Sequence, residues 1–118
     1  MRVVVDGVSK TYTARGHAAM AALSDVDVTV ESEEFLALLG PSGCGKSTLL
    51  NIIAGLLGST AGAVYFEGAL PAGHPATAMV FQEFALFPWR TVQANVEFGL
   101  EELGVPAAER ARRAREYV

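Results

Sequence analysis

The run Gly40-Pro41-Ser42-Gly43-Cys44-Gly45-Lys46-Ser47-Thr48 constrains this chain more than any other feature. It fits the pattern G-x-x-x-x-G-K-[ST], a loop that wraps the phosphates of a nucleotide. Its glycines reach backbone angles that other residues resist, so successive N–H groups can converge on one anion. Lys46 offers a cation to the outer phosphates, and the Ser47 hydroxyl suits a Mg²⁺ ligand. A helix beginning near Gly45 points its positive end at the same spot. The plain alternative is a Gly-rich turn that happens to hold a lysine, and context argues against it. Phe35 to Leu39 is a short continuous apolar run, which suits a parallel strand buried on both faces. Leu49, Ile52, Ile53, Leu56 and Leu57 then form one apolar helix face, with Gly58 as the stop signal. Strand, loop and helix in that order are the context the motif requires.

A chain of 118 residues has room for a single core, and 51 % hydrophobic residues exclude a disordered one. No stretch reaches the roughly 18 uninterrupted apolar residues that span a bilayer. Asp6 interrupts Val3-Val4-Val5, so no secretory signal is apparent. The chain is expected to be cytoplasmic, or peripheral on a membrane it does not cross. A net charge of −4 gives no reason to expect a nucleic-acid surface. The single cysteine, Cys44, offers neither an internal disulfide nor metal-site spacing. Its expected role is a small side chain in the phosphate loop, open to alkylation.

The N-terminal region reads as antiparallel. Val3 to Val5 form one candidate strand, and Val26, Val28 and Val30 alternate with Asp25, Asp27 and Thr29 in another. A loop-like stretch, Thr13 to Ala18, lies between them. Gly58 to Gly62 marks a turn and Val64 to Phe66 a short strand. Pro71, Gly73 and Pro75 punctuate a loop before a further strand at Ala78 to Phe81. The pattern then becomes helical. Thr91 is a candidate N-cap, with Val92, Val96 and Leu100 on one face. Gly104 ends that helix and Pro106 opens the next. Ala107, Ala111, Ala114 and Val118 give the last helix a small-residue stripe, still running at Val118, with Arg110, Arg112, Arg113 and Arg115 on its solvated side.

Several segments together resemble an ATP-binding subunit of ABC transporters. Gly7-Val8-Ser9-Lys10-Thr11-Tyr12 resembles the family's adenine-side segment, which implies that Tyr12 stacks on the base. Leu23 to Val26, and Glu34 through Gly40, resemble the run into the Walker A loop, and Leu49 to Leu56 the helix after it. Met79-Val80-Phe81-Gln82-Glu83 resembles the Q-loop, about 36 residues beyond Lys46. That likeness implies that Gln82 senses Mg²⁺ and the γ-phosphate. Gly40 to Thr48 would then hold ATP, with Lys46 and Gln82 serving catalysis and Ser47 and Gln82 the metal. Phe84, Leu86, Phe87, Pro88 and Trp89 are apolar for a loop. They are expected to pack under a small helical subdomain, and the resemblance adds that this region receives a coupling helix from a permease. Leu86-Phe87-Pro88-Trp89 is most similar to the nitrate, sulfonate and taurine importers.

The implied fold is α/β, an incomplete P-loop NTPase core. An antiparallel β region spans 1–34, the Walker A to Q-loop core 35–82, and the start of a helical subdomain 83–118. The implied partners are a second ATP-binding subunit, a transmembrane permease and, indirectly, a solute-binding protein, with no nucleic acid. The implied place is the inner face of the cell membrane. Two positions depart from the family pattern. Glu33 stands where a glycine usually precedes the Walker A strand, and Ala76-Thr77 replaces an Asp-Arg pair.

The family's signature loop, its apolar strand ending in Asp-Glu and its switch histidine have no counterpart after Gln82. Val3-Val4-Val5-Asp6 mimics that strand but precedes the phosphate loop and continues into Gly7. His17 and His74 both lie before the Q-loop. The chain is therefore expected to be the first half of a longer protein, binding ATP without turning it over. Phe35 to Leu39 would lack ladder partners and expose an apolar edge. Two alternatives remain open at this point: a small P-loop phosphotransferase such as a nucleotide kinase, and a non-catalytic nucleotide-binding fragment.

Overall fold

A computed structural model describes residues 1–13, 16, 18–68, 76–83 and 85–118. Part of the stretch 13–18, and with it His17, lies outside them, as do Pro71, Gly73, His74, Pro75 and Phe84. The chain divides into two compact units, Met1–Met79 and Val80–Val118.

The first unit is built on three antiparallel strands, β1 (Arg2–Tyr12), β2 (Met20–Val30) and β3 (Ala61–Glu67), in the order β2-β1-β3. The alternation expected in the second strand is present: Val26, Val28 and Val30 are half-buried between exposed Asp25, Asp27 and Thr29. In β1 the period breaks on purpose. Val5 and Val8 are both fully buried although they stand three positions apart, because a register shift between them inserts an extra residue. Polar side chains replace the ladder bonds lost nearby. Asp27 Oδ1 accepts from the Gly7 N–H at 2.8 Å, and Ser9 Oγ accepts from the Asp25 N–H at 2.9 Å. At the opposite end Arg2 bridges the strands, paired with Glu31 and Glu67 at 2.9 Å each.

Helix α1 (Lys46–Ile53) packs Leu49 and Ile52 against Val5 and Val8, with Leu23, Val26, Val28, Leu38, Ile53, Leu57 and Val64 around them. Burying a side chain of this size contributes about 1.5–3 kcal/mol. The helix stops earlier than Gly58. Gly55 N–H bonds to the Ile52 carbonyl and Leu56 N–H to that of Asn51, a paired C-terminal closure that ends the helix and leaves Leu56 and Leu57 beyond it.

Phe35 to Leu39 is not a strand, and neither is Ala78 to Phe81. An apolar run becomes a buried parallel strand only between ladder neighbours, and the sheet described here has none beside these segments. Phe35 and Leu39 are each 92 % exposed, and only Leu38 tucks toward the core. The turn before them closes between Glu31 and Glu34, with Glu33 at φ 65°. That left-handed value is one that glycine adopts at no steric cost and glutamate does not.

The second unit pairs α2 (Val92–Glu102) with α3 (Ala107–Ala114). Thr91 caps α2, its hydroxyl accepting from the Ala94 N–H at 3.1 Å. Gly104 closes α2 with bonds from its own N–H and that of Val105 to the carbonyls of Glu101 and Leu100. Pro106 stands at the cap of α3 rather than inside it, and α3 ends at Ala114, short of Val118. Ala114 is the buried member of the expected stripe, while Ala107 and Val118 are exposed. Arg110 is not on the solvated side. It lies half-buried beside α2, Nη1 donating to the Val105 carbonyl at 2.9 Å and Nε facing Glu97 at 3.8 Å. Its long stem covers apolar surface while its head reaches a carbonyl and a carboxylate.

Candidate functional site: a phosphate loop on a β-sheet end

Gly43 and Gly45 both take left-handed φ values, 79° and 96°. Gly45 is the residue just before α1 and has no side chain with which to cap it. The first backbone bond of the helix is Leu49 N–H to the Gly45 carbonyl at 2.9 Å. The N–H groups of Lys46, Ser47 and Thr48 precede that bond, so they point out of the helix end as free donors. The helix dipole adds positive potential at the same place. Gly45 also lies tight against β2. A Cβ there would sit 2.6 Å from the Ala22 carbonyl oxygen and 2.8 Å from Leu23 Cδ2. A Cβ on Gly40 would meet the Cys44 sulfur at 2.7 Å.

Lys46 Nζ folds over the loop and donates to the carbonyls of Gly40 and Pro41, 2.7 Å each, with Cys44 Sγ at 3.4 Å. Sequence reasoning aimed this cation outward. Here it ties the two arms of the loop together, and its three N–H donors let it exchange carbonyls for phosphate oxygens. Pro41, Ser42 and Ser47 line the exposed side and Thr48 is half-buried. The donor set of three helix-end N–H groups, one ammonium and two hydroxyls fits a polyphosphate and its metal, with no carboxylate among these residues to oppose an anion.

Tyr12 ends β1 and is 40 % exposed. It pairs with Met20 of β2, two residues or about 7 Å along the strand from Ala22, on which Gly45 rests. Tyr12 and the loop therefore share one end of the sheet. Lys10 Nζ stands 5.4 Å from the Tyr12 ring centre and donates to the Gly58 carbonyl, tying the strand to the segment after α1. Gln82 belongs to the second unit, exposed in a bend.

In that second unit Phe87 is the centre of an aromatic group with Trp89 and Phe98 at 5.5 and 4.7 Å. Arg90 stacks over Phe87 and Phe98 and pairs with Glu101 at 2.7 Å, which holds the Glu101 carboxyl below its usual range. Leu86, Pro88, Val92 and Val96 line an open cavity of about 310 Å³. Asn95 was missed by the sequence reading. An asparagine in a helix interior is a poor helix former, and that is the signal that would have found it.

The strand-bound loop, its glycine-only contacts and the lysine define a P-loop nucleotide-binding core, and the fold class is α/β. The ABC transporter family model matches residues 23–118, and the chain belongs to this family. It is 42 % identical over its full length to an uncharacterized ABC transporter ATP-binding protein of Methanocaldococcus jannaschii, of which it spans 44 %. A xylose/arabinose import ATP-binding protein of Haloferax volcanii is 42 % identical over 98 % of the chain and 31 % of that protein. A taurine import ATP-binding protein of Pseudomonas entomophila is 45 % identical over 86 % of the chain and 39 % of that protein. Among solved structures, a dimeric ATP-binding cassette in a post-hydrolysis state with ADP and Pi superposes with TM-score 0.79. It is 34 % identical, over 97 % of this chain and 54 % of that one. The chain thus spans less than half the length of these curated relatives. The small-phosphotransferase alternative finds no support among them. Among the described residues no helix is long and apolar enough to cross a membrane.

Proposed function

We propose that this chain supplies the ATP-binding face of an energy-coupling subunit of an ABC importer. The observation that carries the reading is the Walker A loop itself, where Gly45 rests on β2 and the helix-end N–H groups stand free. In this reading the N–H groups of Lys46, Ser47 and Thr48 bind the β-phosphate. Lys46 leaves the carbonyls of Gly40 and Pro41 for the outer phosphate oxygens, so binding loosens one contact of the loop as it makes another. Ser47 would hold Mg²⁺, which neutralises charge on the outer phosphates when bound. Tyr12 stacks on the base. Nucleotide binding at the interface of two such subunits draws them together, and hydrolysis resets them.

The Leu86–Trp89 surface would meet an apolar coupling segment of the permease on the inner face of the membrane. The relatives' names mention xylose/arabinose, bicarbonate, spermidine/putrescine and taurine, so the nitrate, sulfonate and taurine group is one of several readings of the solute. The loop residues named above would bind and orient ATP, and no carboxylate stands among them to polarise an attacking water. Binding without turnover is therefore expected of the chain by itself. Titration with a fluorescent ATP analogue tests the reading. Lys46→Ala should weaken binding at least tenfold, and equal affinity of the two proteins would refute it. Steady phosphate release, abolished by Lys46→Ala, would refute the expectation of no turnover.

A further inference from the structure

We propose that Asn95 is the positioning residue of the Leu86–Trp89 surface, acting through the loop backbone to hold its apolar side chains in a presentable arrangement. The assignment rests on the docking reading above, in which those side chains meet a partner. Asn95 lies on α2, four residues after the Thr91 cap, and its carboxamide turns back onto the loop. Oδ1 accepts from the Phe87 N–H at 2.8 Å. Nδ2 faces the carbonyls of Phe87, Arg90 and Thr91 at 3.2, 3.3 and 3.0 Å. One side chain thus satisfies the backbone at both ends of the Phe87–Thr91 turn. Among the described residues the backbone bond across that turn is Arg90 N–H to the Phe87 carbonyl, 3.0 Å.

The loop needs such a tie. Ala85, just before it, holds a left-handed φ of 46° without being glycine. Leu86 and Trp89 are 63 % and 77 % exposed, so water gives them no reason to stay in place. Arg90 fixes the side chains of Phe87 and Phe98 from one side. Asn95 fixes the backbone from the other, inside the cavity that Leu86, Pro88, Val92 and Val96 line. A carboxylate at this position would still accept from Phe87, but its second oxygen would face three carbonyl oxygens.

That asymmetry supplies the test, made on the whole chain by hydrogen exchange at the Phe87 amide and by fluorescence anisotropy of Trp89, the sole tryptophan. Asn95→Ala should lower Phe87 protection about tenfold, the change expected for one lost half-buried hydrogen bond, and should lower Trp89 anisotropy. Asn95→Asp should keep Phe87 protection within about threefold of wild type yet lower Trp89 anisotropy as much. Gln93→Ala, which removes a bond to Glu97 on the same helix, should move neither readout. The assignment is overturned if both Asn95 variants match Gln93→Ala, and should Asn95→Ala fail to fold, Asn95→Asp alone decides. The docking reading fails separately. In that case Leu86→Ser combined with Trp89→Ala leaves retention on inside-out membrane vesicles unchanged, while the Asn95 readouts still move as expected.

Discussion

Replacing Gly45 with alanine asks whether the loop's shape or its charge holds the nucleotide. At φ 96° an alanine meets a left-handed penalty of about 1–2 kcal/mol. The added Cβ would also sit 2.6 Å from the Ala22 carbonyl oxygen. Leu23 Cδ2, at 2.8 Å, can rotate away, but a carbonyl within β2 cannot. Restoring an ordinary contact of 3.4 Å requires a displacement of 0.8 Å, and the loop is the freer partner. A shift of that size takes the N–H group of Lys46 out of hydrogen-bond range of a phosphate. Losing one charge-assisted bond and adding the backbone penalty gives about 3 kcal/mol, or roughly 100-fold in Kd. Gly43→Ala is the control. Its φ of 79° carries the same penalty, but nothing lies within 4 Å of the new methyl, so roughly tenfold is expected. Both variants keep Lys46 and the charge of the site. The assay is titration with a fluorescent ATP analogue, with a thermal melt to confirm folding. Gly45→Ala within threefold of wild type, or Gly43→Ala the more damaging of the two, would refute the packing argument.

Glu33→Gly should raise stability by about 0.5–1 kcal/mol, since it relieves a left-handed glutamate, and a urea midpoint shift measures it. Ile52→Ala should cost about 2–5 kcal/mol, because Ile52 is buried against Val5 and Val8; an unchanged urea midpoint would show that α1 does not pack there. Arg112 and Arg113 both bond Glu109 and hold its carboxyl down to about 2, below its ordinary 4.5. A lowered acid constant in the folded state means that the stabilisation is complete above pH 4.5 and fades as pH falls through about 2. Helicity of α3 should decline over that window, and Glu109→Gln should flatten the decline.

What could be read from residues alone was whatever depends on neighbours in sequence. The left-handed glycines of the phosphate loop, the Thr91 cap and the Gly104 stop are each set by a few adjacent side chains and backbone angles. The structure has all three, although the strand expected before the loop is absent and Lys46 turns back onto it. The burial of Val8 was not legible in the same way. A period of two assigns Val5 and Gly7 to one face, and only the bulge, stabilised by Asp27 and Ser9 from elsewhere in the fold, moves Val8 inward. Arg110 was misassigned for a related reason. Charge alone argues for water, but a long stem with a carbonyl and a carboxylate within reach can lie in a helix seam.

Phe35 to Leu39 makes the distinction sharpest. Five apolar residues in a row describe a destination rather than a conformation, since nothing local rewards an extended backbone without ladder partners. Leu38 already faces the core of Val5, Val8, Leu49 and Ile52, while Phe35 and Leu39 stand in water. The β2-β1-β3 sheet offers this segment no neighbour, so its N–H and C=O groups have no reason to align. The same five residues also lead directly into Gly40, whose carbonyl receives the Lys46 ammonium. The entrance to the phosphate loop is thus anchored in this structure by α1, by Gly45 against β2 and by that lysine, not by a strand.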